Sequence, residues 1–164
     1  MNEVSSGMTR RNVMLIAIAI VPVLVALGLG QLATFPNLPW HAGLIKPSFN
    51  PPNWIFGPVW TSLYALMAFA AWRILRLPPS PARRAALILF YAQLALNAAW
   101  SWMFFAAHSP VLGLINIGPQ FLLILATLNA FRPLDRYATW ALVPLAAWVA
   151  FASVLNYAIW SLNG

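Results

Sequence analysis

Residues 13–33 read VMLIAIAIVPVLVALGLGQLA, a stretch without one charged side chain. About 20 such residues in a helix cross the ~30 Å hydrocarbon layer of a bilayer. Within that layer the backbone has no water to bond, so a spanning segment must satisfy its own N–H and C=O groups. The run therefore predicts a transmembrane helix. Arg10 and Arg11 ahead of it, with Ala26-Leu27-Gly28 inside it, also loosely fit a secretory signal. The run is longer than the apolar region of most signals, which favours a retained span.

Four further runs have the same character, at about residues 55–72, 85–107, 111–131 and 138–162. They are continuous rather than alternating and about twice as long as a membrane-barrel strand, which disfavours a spanning sheet. The expected fold is an all-α membrane protein. Its single domain, residues 13–164, is a bundle of five transmembrane helices behind a flexible tail at residues 1–12. The whole composition agrees: 62% of the residues are hydrophobic and only 7% charged, against roughly 25% charged in soluble domains.

The formal charge of +7 comes from nine scattered cations, and their scatter argues against a nucleic-acid surface. Sorted by the side of the membrane on which each connection falls, they are lopsided. Arg10, Arg11, Arg73, Arg76, Arg83, Arg84, Arg132 and Arg136 share the side of the N-terminus, and only Lys46 lies opposite. By the positive-inside rule the N-terminus is expected in the cytoplasm and the C-terminus outside.

Several chemistries lack parts. There is no cysteine, and the two acids, Glu3 and Asp135, both lie outside the apolar runs. No intramembrane carboxylate is then available to couple a proton gradient, and no nucleophile, base and acid constellation suggests hydrolysis. His41 and His108 fall in separate connections and suggest no metal site.

The aromatic residues are more informative. Of nine tryptophans, Trp40, Trp54, Trp140 and Trp160 lie near span ends, where indole suits headgroup depth. Trp60, Trp100 and Trp148 lie deeper and are the candidates for a pocket. On span 3, Gln93, Asn97, Trp100 and Phe104 follow i, i+4, i+7, i+11 and so share a face. Trp60, Tyr64, Met67 and Ala71 align on span 2, as do Trp148, Ala152, Leu155 or Asn156, and Ile159 on span 5. Ala92, Ala95, Ala99 and Ala106 leave room on span 3 for a close helix contact, within the chain or in a homodimer. Asn116, Gln120 and Thr127 suit packing on span 4, which Gly118-Pro119 is expected to kink. Between spans 1 and 2, residues 35–54 carry Pro36, Pro39, Pro47, Pro51 and Pro52, which favour extended and turn conformations. A connection this long is expected to act as a lid, with Trp40, His41, Lys46, Pro47, Pro51, Pro52 and Trp54 as its chemistry-bearing residues.

The stretch WHAGLIKPSFNPPNWIFGPVWTSLY at residues 40–64 closely resembles the translocator protein family, also known as TspO/MBR, tryptophan-rich sensory proteins or peripheral benzodiazepine receptors. LNAAW at residues 96–100 and WVAFASVLNY at residues 148–157 agree with it in order and spacing. The resemblance implies a five-helix bundle binding tetrapyrroles such as protoporphyrin IX, with no obligatory cofactor. The ligand-proximal positions it implies are Trp60, Tyr64, Asn97, Trp100, Trp148, Ala152 and Leu155, to which the spacing on span 3 adds Phe104 as a ligand-binding candidate. It also implies a homodimer, and for some bacterial members a light-dependent porphyrin breakdown in which Trp60 and Trp148 would be catalytic.

His41 stands where the family usually has tyrosine, and Phe49 where tryptophan is usual. The family's sterol motif needs a cation soon after its Leu and Tyr, whereas Trp160 and Ser161 follow Leu155 and Tyr157, so sterol binding by that route is not expected. The roles consistent with these residues are a tetrapyrrole receptor, sensor or transporter, a porphyrin-degrading enzyme, and a regulatory partner of another membrane protein. A bacterial inner membrane is the expected location, with the outer membrane as the alternative.

Overall fold

Ser80, Ser109 and Asp135 mark where three of the spans begin. Each side-chain oxygen accepts a hydrogen bond from the backbone N–H three residues on, Arg83 N at 3.1 Å, Leu112 N at 3.2 Å and Ala138 N at 2.7 Å. These N-caps satisfy donors that a helix start otherwise leaves open. Pro81 and Pro110 follow two of them in the first helical turn, where the missing proline N–H costs nothing. The computed structural model describes the backbone from Asn2 and side chains from Arg10 to Gly164.

The helices are α1 (Asn2–Thr34), α2 (Leu38–Ala42), α3 (Asn53–Leu75), α4 (Pro81–Ser101), α5 (Pro110–Phe131) and α6 (Arg136–Asn163). Of these, α1, α3, α4, α5 and α6 are the five spans, long and apolar enough to cross a membrane. Their ends fall within a few residues of the expected ones. At the N-terminus α1 already runs through residues 2–12, where a tail was expected; the side chains of residues 1–9 lie outside the described residues.

One local expectation needs correcting. The connection at residues 35–54 is partly helical: a 3-10 turn, Phe35–Asn37, and α2 continue almost directly from α1. Pro36 and Pro39 permit this because each sits in the first turn of its element, the one place where proline suits a helix. Only residues 43–52 are irregular. The helix α5 carries Pro119 in its interior. Span 3, by contrast, ends unexpectedly in a π turn, Trp102–Ala106, closed by bonds such as Ala107 N to Trp102 O at 2.9 Å.

The five spans close into a ring in the order α1, α3, α6, α5, α4 and back to α1. Small and apolar side chains, among them Ala19, Ala26, Ala70, Ala71, Ala86, Met67, Phe90, Ile124 and Leu145, are buried at its centre. Lipid-facing positions are apolar as well, for example Leu24, Ile88, Ile115 and Leu122, as expected where the solvent is hydrocarbon. Close approach therefore depends on side-chain size. At Gly113 a Cβ would fall 2.6 Å from Asn156 Oδ1 and 2.9 Å from Phe104 Cδ2, whereas at Gly118 nothing lies within 4 Å. At the arginine-rich end, Asp135 receives Arg73 through Nε at 2.9 Å and Nη2 at 2.7 Å, which joins α3 to the start of α6.

Gly113→Ala should therefore destabilise the bundle by about 1–3 kcal/mol through overpacking, while Gly118→Ala should be neutral or stabilising by up to ~1 kcal/mol from helix propensity. Thermal melts in one detergent check the pair, and equal melting temperatures would contradict the packing. A pH series tests the ion pair. The hydrogen bonds from Arg73, foremost, and the Ala138 N–H hold the Asp135 carboxyl below the usual carboxylate range. A depressed folded-state pKa stabilises above the unfolded value of ~3.9 and is lost as pH falls through the folded value. Asp135→Asn should thus melt lower than the parent at pH 7, by roughly 1–3 kcal/mol for a charge-assisted pair, and the gap should close under acid.

Candidate ligand-binding site

The face expected on span 3 exists. Gln93, Asn97 and Phe104 are buried and Trp100 is half-buried, all directed toward the middle of the ring. From there α4 reaches two helices that are not its neighbours. The Tyr64 hydroxyl on α3 donates to Asn97 Oδ1 at 2.6 Å. Trp100 Nε1 donates to Asn156 Oδ1 on α6 at 3.2 Å, and Asn156 Nδ2 donates to Pro110 O at 2.9 Å. Asn156, which the spacing left as an alternative to Leu155, thus joins α6 to both α4 and the start of α5. Gln93 Nε2 lies 3.7 Å from Met67 Sδ, and Gln93 Oε1 has no protein partner.

The π turn sets the aromatic geometry at the C-terminal end of α4. An extra residue per turn lets Phe104 stack on Trp100 with centroids 4.8 Å apart and planes at 17°, while Phe105 meets Trp100 edge-on at 5.8 Å. Trp60 and Tyr64 lie tilted at 5.7 Å. Trp148 packs against Phe56 at 5.7 Å and Phe151 at 5.5 Å. The candidates therefore form two groups, Trp60, Tyr64, Asn97, Trp100 and Phe104 facing the ring centre, and Trp148 with its neighbours at the seam between α3 and α6. Leu155 is buried beside Phe104 and Phe105, and Ala152 is half-buried against the main core.

A groove of about 550 Å³ opens along that seam, lined by Pro58, Val59, Ser62, Leu63, Leu66, Pro144, Ala147, Trp148 and Phe151. Its volume is within the ~300–1,000 Å³ of small-molecule sites. Of the expected site residues only Trp148 lines it. The others were readable as spacing, since Pro58, Ser62 and Leu66 repeat at i+4, and Pro144, Ala147, Trp148 and Phe151 at i+3, i+4 and i+7. What spacing withheld was that spans 2 and 5 are neighbours.

Of the expected lid residues, Trp40 packs on two rings: its indole stacks on His108 at 4.7 Å and meets Phe104 edge-on at 5.7 Å. His108 Nε2 is 2.7 Å from Asn37 Oδ1, and His41 packs 5.4 Å from Phe105. Lys46 is directed back into its own connection, with Nζ donating to His41 O at 2.7 Å and Leu44 O at 3.2 Å. Pro47 and Pro51 are half-buried and Pro52 caps the start of α3. Trp54 and Trp140, 73% and 70% exposed, keep the outward positions of membrane-interface anchors. A tie missed in the sequence joins Ile45 to Asn163: Ile45 N donates to Asn163 Oδ1, and Asn163 Nδ2 to Ile45 O, both at 2.9 Å. On α4, Ala95 and Ala106 are exposed while Ala92 and Ala99 are half-buried.

Residues 17–161 match the model of the TspO/MBR family. The Tryptophan-rich protein TspO of Chlorobaculum tepidum is 40% identical over 125 residues, which cover 76% of this chain and 79% of that protein. The Tryptophan-rich sensory protein of Cereibacter sphaeroides is 39% identical over 124 residues, 76% of this chain and 77% of that one. The human Translocator protein is 37% identical over 129 residues, 77% and 76% respectively. A family match spanning all five apolar helices, together with relatives at this identity over most of their length, leaves one assignment: this chain is an integral membrane protein that belongs to the TspO/MBR family.

Proposed function

We propose that the chain is a membrane receptor or carrier for a tetrapyrrole such as protoporphyrin IX, taken up at the seam between α3 and α6. The observation that carries this reading is the apolar groove with Trp148 in its wall. A flat macrocycle gains most from an indole face and aliphatic walls, about 0.5–1.5 kcal/mol for an aromatic pair beyond area burial. Trp60 and Tyr64, on the inner side of α3, supply a second aromatic surface, with Asn97, Trp100, Phe104, Ala152 and Leu155 behind them. The connection at residues 35–52 acts as the lid over the outer end, held by Trp40 on His108 and by Ile45 on Asn163. A propionate would compete with the loop carbonyls for Lys46. A second copy of the chain would pack on the exposed alanines of α4. The N-terminus lies in the cytoplasm of a bacterial cell, in its inner membrane.

Titration of the detergent-solubilised protein with protoporphyrin IX, followed by tryptophan quenching, tests the site. Trp148→Phe should weaken binding by roughly 2–10-fold, the equivalent of one aromatic contact, and Trp140→Phe should leave it unchanged. Equal affinities in all three proteins would remove the seam from consideration. Illuminating the same samples separates binding from chemistry: a new stable absorbance lost in Trp60→Phe and Trp148→Phe would establish porphyrin breakdown.

Orientation is testable because the chain has no native cysteine. In intact cells a membrane-impermeant thiol reagent should label Ser161→Cys and spare Pro79→Cys. The reverse pattern would invert the topology.

A further inference from the structure

At the end of the bundle opposite the first connection, the last turn of α3 and the start of α6 enclose a pocket of about 260 Å³ lined by Arg73, Arg76, Leu77 and Asp135. Its charge is not balanced. Asp135 is the one carboxylate among the described side chains, and it is already engaged by Arg73 Nε and Nη2 and by the Ala138 N–H. Those bonds leave Arg73 Nη1 unengaged. Arg76 is exposed and its guanidinium carbon sits 4.7 Å over the Trp72 ring. That contact orients the planar group without neutralising it. Two other arginines at this end already donate within the chain, Arg83 Nη2 to Leu75 O at 2.9 Å and Arg136 Nη2 to Tyr137 Oη at 3.2 Å.

The surroundings select the kind of anion. Phe69 and Tyr137 are exposed, with the Arg73 guanidinium carbon 5.8 Å and 4.9 Å from their ring centres, and Trp140 is exposed about a turn further along α6; such aromatics mark headgroup depth in a bilayer. Leu77 forms an apolar wall. A soluble phosphate would gain nothing from this belt, whereas a lipid places its phosphate at this depth and its acyl chains along the exposed aromatics.

We propose that the Arg73–Arg76 pocket is a binding site for the phosphate of an anionic phospholipid. Arg76 is its principal ligand, through the paired N–H donors that suit a phosphate. Arg73 contributes Nη1 while keeping its bond to Asp135. The site is separate from the α3–α6 groove and independent of what that groove binds.

Native mass spectrometry of the full chain in detergent, titrated with phosphatidylglycerol or phosphatidylcholine of identical acyl chains, tests this. The first phosphatidylglycerol should bind about tenfold more tightly than phosphatidylcholine, the equivalent of ~1.4 kcal/mol. Arg76→Gln should abolish the preference, and Arg84→Gln, which removes the same charge elsewhere at this end, should retain it. Equal binding of the two lipids would overturn the proposal, as would equal losses in the two variants, which would mean diffuse attraction. Displacement of phosphatidylglycerol by inorganic phosphate would likewise overturn it, because the site would then recognise a free anion.

Discussion

The hydrogen bond from Tyr64 to Asn97 crosses the middle of a ring in which each helix packs mainly on its two neighbours. In hydrocarbon, burying one apolar helix against another brings little hydrophobic gain, so spans are held by packing and by bonds of about 0.6 kcal/mol each. A ring of five such helices can shear unless something joins non-adjacent members. Here α4 does so twice, through Asn97 to α3 and through Trp100 to Asn156 on α6. The two cross-links leave from one face of one helix. Everything between α3 and α6, the seam included, is positioned relative to that face.

This arrangement accounts for two of the buried polar residues, Asn97 and Asn156, in a strongly apolar chain that also buries Gln93, Asn116, Gln120 and Thr127. A buried amide is costly without partners, and several of these find them on other spans or on carbonyls of their own helix. The π turn after Ser101 belongs to the same device. It brings Phe104 under Trp100 and against Gly113, so the end of the bundle opposite the arginines is closed by rings rather than by charges. The arginine end is built on the opposite plan, with Arg73 and Asp135 as its one ion pair among the described residues.

The spans were legible because charge-free runs of this length admit few alternatives, and the inward faces because helical spacing leaves little choice: Asn97 and Tyr64 each stand out as polar groups on apolar stripes. The partners were not legible. That Trp100 meets Asn156 depends on α4 and α6 approaching across α5, and no local pattern records that. Lys46 was expected among the chemistry-bearing residues of the lid, yet the carbonyls of His41 and Leu44 hold its ammonium. The stacking of Trp40 on His108, which lies in a connection distant in sequence, was equally hidden. Membership of the TspO/MBR family was carried by residues 40–64, much of whose length lies in that connection rather than in a span.

The central claim is that a tetrapyrrole enters at the α3–α6 seam while the α4 cross-links hold the ring together. The most direct measurement is a crystal structure of the chain grown from lipid with protoporphyrin IX. The account requires the macrocycle between α3 and α6 with a face or edge on Trp148, and Tyr64 still bonded to Asn97. A macrocycle bound at the α1–α4 face, or a bound state in which Tyr64 and Asn97 have separated, would contradict it.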